Sequence, residues 1–347
     1  MLKSTDRVAI LLHEGIQGSQ GKTGLAFTRS CADSVVAIVD HQSARQSYQA
    51  LTHIACDAPI VSSVSEALKY QPTALLIGIA PSGGVLPDLW LAEVQQAVEA
   101  GLSIVNGLHT ALLPKFPQLK PNQWIWDIRQ EPAGLKVGSG VARSLACRRV
   151  LTVGTDMSIG KMSTSLALDK VAKQRGLRSQ FLATGQAGIM IAGDGIPLDA
   201  IRVDFAAGAV EQLVMRHAEN DILHIEGQGA IFNPASTATL PLIRGSQPTH
   251  LVLVHRAGQM HIRNCPQVPI PPLKEVVRVY ESLASAGGSF AAVKVAAIAL
   301  NTAHLDQNAA WRAIALIQEE TQLPCTDPIR FGAELLLDAV LNCESAI

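Results

Sequence analysis

Short runs of Val, Ile and Leu recur through the first part of the chain, at 8–12, 34–39, 58–61, 74–80 and 102–106, with little polar alternation. Strands that are apolar on both faces belong in a parallel sheet covered on both sides. Asp88–Ala100 reads as a helix, with Asp88 at its start and Gly101 just past its end, and 124–128 adds a last strand. The second part repeats the alternation. Strands are predicted at 149–153, 179–183, 221–225, 251–255 and 293–300, and helices over Lys161–Gln174, 204–217, 309–321 and 334–341. The stretch 323–331 reads as a turn with a short strand. This order predicts an α/β protein with a doubly wound domain over 1–145 and a second parallel-sheet domain over 146–347. The Pro- and Gly-bearing stretch 129–140 joins them.

With 347 residues the chain is long enough for two cores of ordinary size. Hydrophobic residues make up 48% and charged residues 16%, so the surface is sparingly charged and a homo-oligomer is expected. A net charge of -1 without a long basic cluster argues against nucleic acid as a partner. The six cysteines form no C-x-x-C pair, a usage that predicts a reduced, cytoplasmic protein. Lys3 and Arg7 precede an apolar run that His13 and Glu14 cut short, which is too brief for a signal peptide core. The run 290–300 is broken by Lys294 and is too short to cross a bilayer, so no membrane association is expected.

The chemistry concentrates where strands end. The strand at 149–153 runs into Gly154, Thr155 and Asp156, then Gly160 and Lys161 open a helix. A strand, a glycine turn and a helix N-terminus form an anion cradle, with amides facing the phosphate and the lysine reaching its oxygens. The spacing is G-x5-GK, one residue longer than the usual loop, and Met162 stands where Ser or Thr normally binds Mg2+. Ser163 and Thr164 are the nearest substitute hydroxyls. After the strand at 221–225 comes Glu226-Gly227, a carboxylate where P-loop proteins hold Mg2+ or its water. Gly15 to Thr23 reads as a second G-x5-GKT, so Gly21, Lys22 and Thr23 are candidates for a second phosphate. Asp40 ends a strand, either as a ribose partner or as an exposed strand end. Glycine loops follow two further strands, 78–84 and 106–109, and His109 is the acid–base or anion-binding candidate of this half.

The stretch VGTDMSIGKMSTSLAL resembles the phosphate loop of dethiobiotin synthetase and its relatives, GTDTxxGKT, and IEGQG is similar to their VEGAG. That resemblance implies that Lys161 contacts phosphate, position 162 binds Mg2+ and Glu226 helps to hold metal; Met162 departs from it. From LLIGIAPSGG through GTDxxxGKM, TGQAGIMIAGDGIPLDAIRVDFAAGAVE, EGQGAIFNPAS and LNTAHL to LPCTDPIRFGA, the chain more closely resembles a bacterial two-domain family. Some members of that family are named D-glutamate N-acetyltransferase. This resemblance implies an N-terminal Rossmann-like domain and a C-terminal P-loop NTPase-like domain, with acetyl-CoA as donor and a D-amino acid as acceptor.

Acetyl transfer to an amine needs a base and oxyanion donors. Asp199, Asp204, Glu226 and His109 are the candidates for base or substrate-orienting group. Arg256 is a candidate for the substrate carboxylate, and Asn301 for a polar part of the ligand. The alternative is an ATP- and Mg2+-dependent ligase or kinase acting on a small carboxylate, with Glu226 and Ser163 or Thr164 on the metal. A nucleotide-binding regulatory protein is the third reading.

Overall fold

In the computed structural model the apolar runs form two separate parallel sheets; the structure describes residues 2–3, 5–18, 20–81 and 86–343. Ser19 and residues 82–84 of the predicted glycine loops lie outside this set. Contacts divide the chain into one unit of Met1–Glu131 with Gln186–Ala200 and a second of Pro132–Gly185 with Ile201–Ile347.

The first unit contains β1 (Val8–Leu11), α1 (Lys22–Cys31), β2 (Val35–Val39), α2 (Tyr48–Thr52), β3 (Ile60–Val61), α3 (Val64–Ala67), β4 (Ala74–Ile77), α4 (Asp88–Ala100), β5 (Ser103–Asn106) and β6 (Ile125–Asp127). Its sheet order is β3-β2-β1-β4-β5-β6, with every pairing parallel. The order reverses beside β1, the point at which such sheets leave a crevice beyond their carboxyl ends. β4 stops earlier than its apolar run because Gly78 and Gly24 meet there: the Gly24 amide donates to the Gly78 carbonyl at 2.7 Å. A Cβ on Gly24 would come within 3.1 Å of the Gly78 Cα, so the close approach of α1 to the sheet requires both glycines.

The second unit contains β7 (Arg148–Gly154), α5 (Lys161–Gln174) and β8 (Ser179–Leu182). The chain then passes through α6 (Gln186–Ala192), which belongs with the first unit. There Met190 and Gln186 pack over Gly107, although both lie well beyond the predicted boundary at 145; the local pattern gave no sign of this. The second unit resumes with α7 (Val203–Arg216), β9 (Ile222–Ile225), α8 (Thr239–Ser246), β10 (His250–Arg256), β11 (His261–Ile262), β12 (Cys265–Pro269), α9 (Leu273–Ser285), β13 (Lys294–Asn301), α10 (Gln307–Thr321), β14 (Cys325–Thr326) and α11 (Glu334–Asn342). Its parallel sheet runs β14-β13-β10-β7-β9-β8, and β11 and β12 form an antiparallel pair outside it. Val150, Leu168, Val252, Ala297 and Leu336 are among the side chains of the core that backs β7.

Among the described residues no helix is long and apolar enough to cross a membrane.

Candidate functional site

β7 lies between β10 and β9, so the loop leaving it emerges at the centre of the carboxyl edge. Within that loop Ser158 has φ +57° and Gly160 φ +117°. These left-handed residues turn successive amides inward, the geometry of an anion nest. Among the described residues, no protein group accepts from the backbone amides of residues 158–163, while the amides on either side are used. The 14-residue helix α5 follows, aligning its dipole with the same point.

Lys161 is buried, and its ammonium donates to the Asp156 carbonyl at 2.7 Å. Burial pulls its pKa down to about 8, although the carboxylates of Asp156 and Glu226 favour the charged form. The lysine stem crosses two glycines. A Cβ on Gly154 would stand 3.2 Å from its Cδ and Nζ, and one on Gly227 would stand 3.0 Å from its Cδ and overlap the Thr152 carbonyl. The Gly227 amide donates to Thr152 Oγ1 at 2.9 Å, and Thr152 Oγ1 lies 3.0 Å from Ser165 Oγ. The ends of β7 and β9 and the first turn of α5 are thus stitched beneath the ammonium.

Asp156, predicted as a ligand contact, instead anchors the loop. One carboxylate oxygen accepts from the Met157 amide (2.7 Å) and Asn233 Nδ2 (2.8 Å), the other from Gln259 Nε2 (2.6 Å) and the Arg263 amide (2.8 Å). Burial opposes the charge, but the Arg263 amide, the Asn233 side chain and the remaining donors outweigh it, so the carboxyl sits below its usual pKa. Thr155 is likewise engaged: its Oγ1 lies 2.9 Å from His255 Nδ1, and burial pushes that imidazole down to about 4, keeping it neutral. Asn301, predicted on the substrate, donates to the Ile159 carbonyl at 2.9 Å and accepts from the Ala303 amide. Its amide supports the loop from behind.

Glu226 follows β9 and is buried. One oxygen accepts from the amides of Thr184 (2.8 Å) and Gly185 (3.1 Å), the other from Gln228 Nε2 (3.0 Å). Thr164 turns its hydroxyl back to the Gly160 carbonyl at 3.0 Å. These bonds engage the oxygens of Glu226 and Thr164 that the sequence offered to a metal. Ser163 is half-buried, and its hydroxyl bonds no described residue.

Arg256 ends β10 in register with Asn301, half-buried on the same edge as the loop. Among the described residues no acceptor engages its guanidinium. Asp204 is exposed in the first turn of α7. Asp199 lies in the first unit, paired with Arg129 Nη2 at 3.2 Å, and is thereby oriented by a cation. His109 is exposed after β5, beyond a turn in which Asn106 and Asp127 hold the backbone. Gly21 precedes α1, and Thr23 is buried. Lys22 is exposed, so the likeness of this loop to the second one extends to its spacing but not to its lysine.

Sequence reasoning missed Tyr280. Its hydroxyl donates to the Gly154 carbonyl at 2.7 Å and lies 3.4 Å from the Ile231 amide. The signal was present: Leu273, Val276, Tyr280 and Ala284 make the buried stripe of α9 at helical spacing. Asn233 and Gln259 carried no such signal, because each reaches Asp156 from an irregular segment or turn distant in sequence.

Residues 136–337 match the model of the DUF1611 P-loop domain and residues 41–131 that of the DUF1611 Rossmann-like domain, both described as domains of unknown function. A D-glutamate N-acetyltransferase of Tritonibacter scottomollicae is 37% identical over 284 residues, covering 80% of this chain and 84% of that protein. One from a Pseudoalteromonas species is 35% identical over 281 residues, covering 79% and 83%. The crystal structure of a DUF1611 family protein from Anabaena variabilis superposes with a TM-score of 0.95 at 62% identity, covering 98% of this chain and all (100%) of that one. By these matches the chain belongs to the DUF1611 family, with a Rossmann-like N-terminal domain and a P-loop NTPase-like C-terminal domain, both α/β.

Proposed function

We propose that the protein is an N-acetyltransferase that moves acetyl from acetyl-CoA to the amine of a D-amino acid. The relatives' names favour D-glutamate as acceptor. The observation that carries the reading is the run of amides at residues 158–163 without protein acceptors, next to the buried Lys161. This is a cradle for the phosphates of coenzyme A. In the reaction the free amine attacks the thioester carbonyl, the C–S bond breaks, the amine gives up a proton and coenzyme A leaves as a thiol. Arg256, whose fork matches a planar carboxylate, is the proposed receiver of the acceptor's acid group. Asp204 is the proposed proton acceptor in the same unit, since Glu226 already has protein partners.

The donor set fits phosphate better than a P-loop magnesium site. Met162 offers no oxygen, Thr164 is turned to the backbone, and both oxygens of Glu226 accept protein hydrogen bonds, which leaves Ser163 as the one predicted metal oxygen that bonds no described residue. Acetyl transfer leaves that disagreement harmless, because no metal is needed at the phosphates. Release of thiol from acetyl-CoA, followed with a colorimetric thiol reagent, should require D-glutamate and should not respond to added Mg2+. ADP formation from ATP that depends on Mg2+ and a carboxylate, without thiol release, would move the assignment to an ATP-dependent ligase or kinase.

A further inference from the structure

A second cluster of chemistry sits in the first unit, where the chain leaves β1 and β2. His13 follows β1, and Asp40 and His41 follow β2. The donor atoms of these side chains all lie within 4.8 Å of one another. His13 and Asp40 are buried, while His41 is half-exposed.

The tautomer of His13 follows from its partners. The His41 amide donates to His13 Nδ1 at 3.2 Å, so that nitrogen carries a lone pair. The other ring nitrogen of His13 faces Glu93 Oε1 at 3.6 Å, and Nε2 of His41 faces Glu14 Oε1 at 3.9 Å. The two Nδ1 atoms lie 3.0 Å apart: they form a hydrogen bond when His41 carries its proton on Nδ1, and present two lone pairs to one gap when both rings carry it on Nε2. In the second tautomer both nitrogens can bind one cation. Asp40 adds a third donor. Its Oδ1 is held by the amides of Glu14 (3.1 Å) and Gln42 (3.2 Å), and its Oδ2 accepts from no described residue. Asp40, Glu14 and Glu93 surround the pair of imidazoles with acidic groups.

We propose that His13 Nδ1, His41 Nδ1 and the Asp40 carboxylate form a site for Zn2+ or another late first-row divalent ion. Two imidazole nitrogens on one tetrahedral ion stand about 3.3 Å apart when each bond is about 2.0 Å. The ring separation therefore needs to open by only a few tenths of an ångström, with the long bond from the His41 amide given up. Glu93 supplies the outer carboxylate that fixes His13, the companion that metal-bound histidines commonly have. Three protein donors leave a fourth position for water or an anionic ligand, at the strand-end crevice where Rossmann-like sheets bind theirs. The competing arrangement is a proton shared by the two rings.

The test uses the full chain after dialysis against chelator, titrated with Co2+ and read by the visible absorption of tetrahedral cobalt, then with Zn2+ in competition. The wild type should take up one ion per chain. His41→Ala, which removes a half-exposed side chain and should spare the fold, should abolish the band. Glu93→Gln should weaken uptake about 10- to 100-fold. Lys161→Ala should bind cobalt normally, which separates this site from the phosphate loop. Wild-type protein that takes up no more Co2+ and Zn2+ than His41→Ala would overturn the proposal and leave the shared proton in its place.

Discussion

Replacing Asp156 with asparagine should loosen the phosphate loop while leaving its spacing and its lysine intact. The carboxylate accepts four hydrogen bonds, from Met157, Asn233, Gln259 and Arg263. In the amide, one acceptor oxygen becomes an NH2 that faces two donors. A hydrogen bond to a charged partner contributes about 1.5–3 kcal/mol, and a buried donor left unpaired costs about 1–3 kcal/mol. Losing two such bonds and neutralising the other two gives a destabilisation of about 3–5 kcal/mol, a large share of the roughly 5–15 kcal/mol that holds a protein folded. Urea unfolding measures the loss, and hydrogen exchange of the peptide spanning residues 157–163 locates it. The acid limb supplies a second readout. Because the folded-state pKa is lowered, the stabilisation from Asp156 is fully present above the ordinary carboxylate pKa and is lost as pH falls through the lowered value. The variant should therefore lose less stability on acidification than the wild type. An unfolding free energy lowered by less than about 1 kcal/mol, with exchange at 157–163 unchanged, would show that the anchor does not hold the loop.

Lys161 predicts a pH dependence of opposite sense. Its ammonium is charged below about 8, so acetyl-CoA affinity by calorimetry should be flat there and fall as pH rises through that value. Lys161→Met should bind far more weakly and lose that alkaline slope. Gly227→Ala should cost about 1–3 kcal/mol or more by pushing β9 away from β7, with acetyl-CoA affinity falling as the Lys161 stem loses its bed; denaturation and titration of one sample check both. Tyr280→Phe should cost about 1–3 kcal/mol in urea, with the far-ultraviolet dichroism unchanged, because the Gly154 carbonyl loses its donor in the interior.

How legible the site was depended on how local each residue's task is. Gly160 and Lys161 could be read because a left-handed turn, a helix start and a cation must be adjacent in sequence. Glu226 could be placed because apolar strands end where polar residues begin, but not its role, since its acceptors are filled by amides at 184 and 185. Asp156 and Asn301 were offered to ligands on position alone. Their side chains in fact bond Arg263, Gln259 and Ile159, partners 107, 103 and 142 residues away. The pairing of His13 with His41 was hidden in the same way, because each imidazole ends a different strand and the sheet alone makes them neighbours.

The amino-acid order by itself determined two parallel α/β sheets and the left-handed glycine turn that opens α5 after β7, because strand periodicity, glycine conformation and helix polarity act within a few residues. Tertiary structure alone decided which polar side chains hold that turn and which face outward, and that α6 packs with the first unit. It also decided that two histidines share one gap. Those outcomes depend on strand order and on desolvation, and both are set only when segments far apart in the chain are brought into contact.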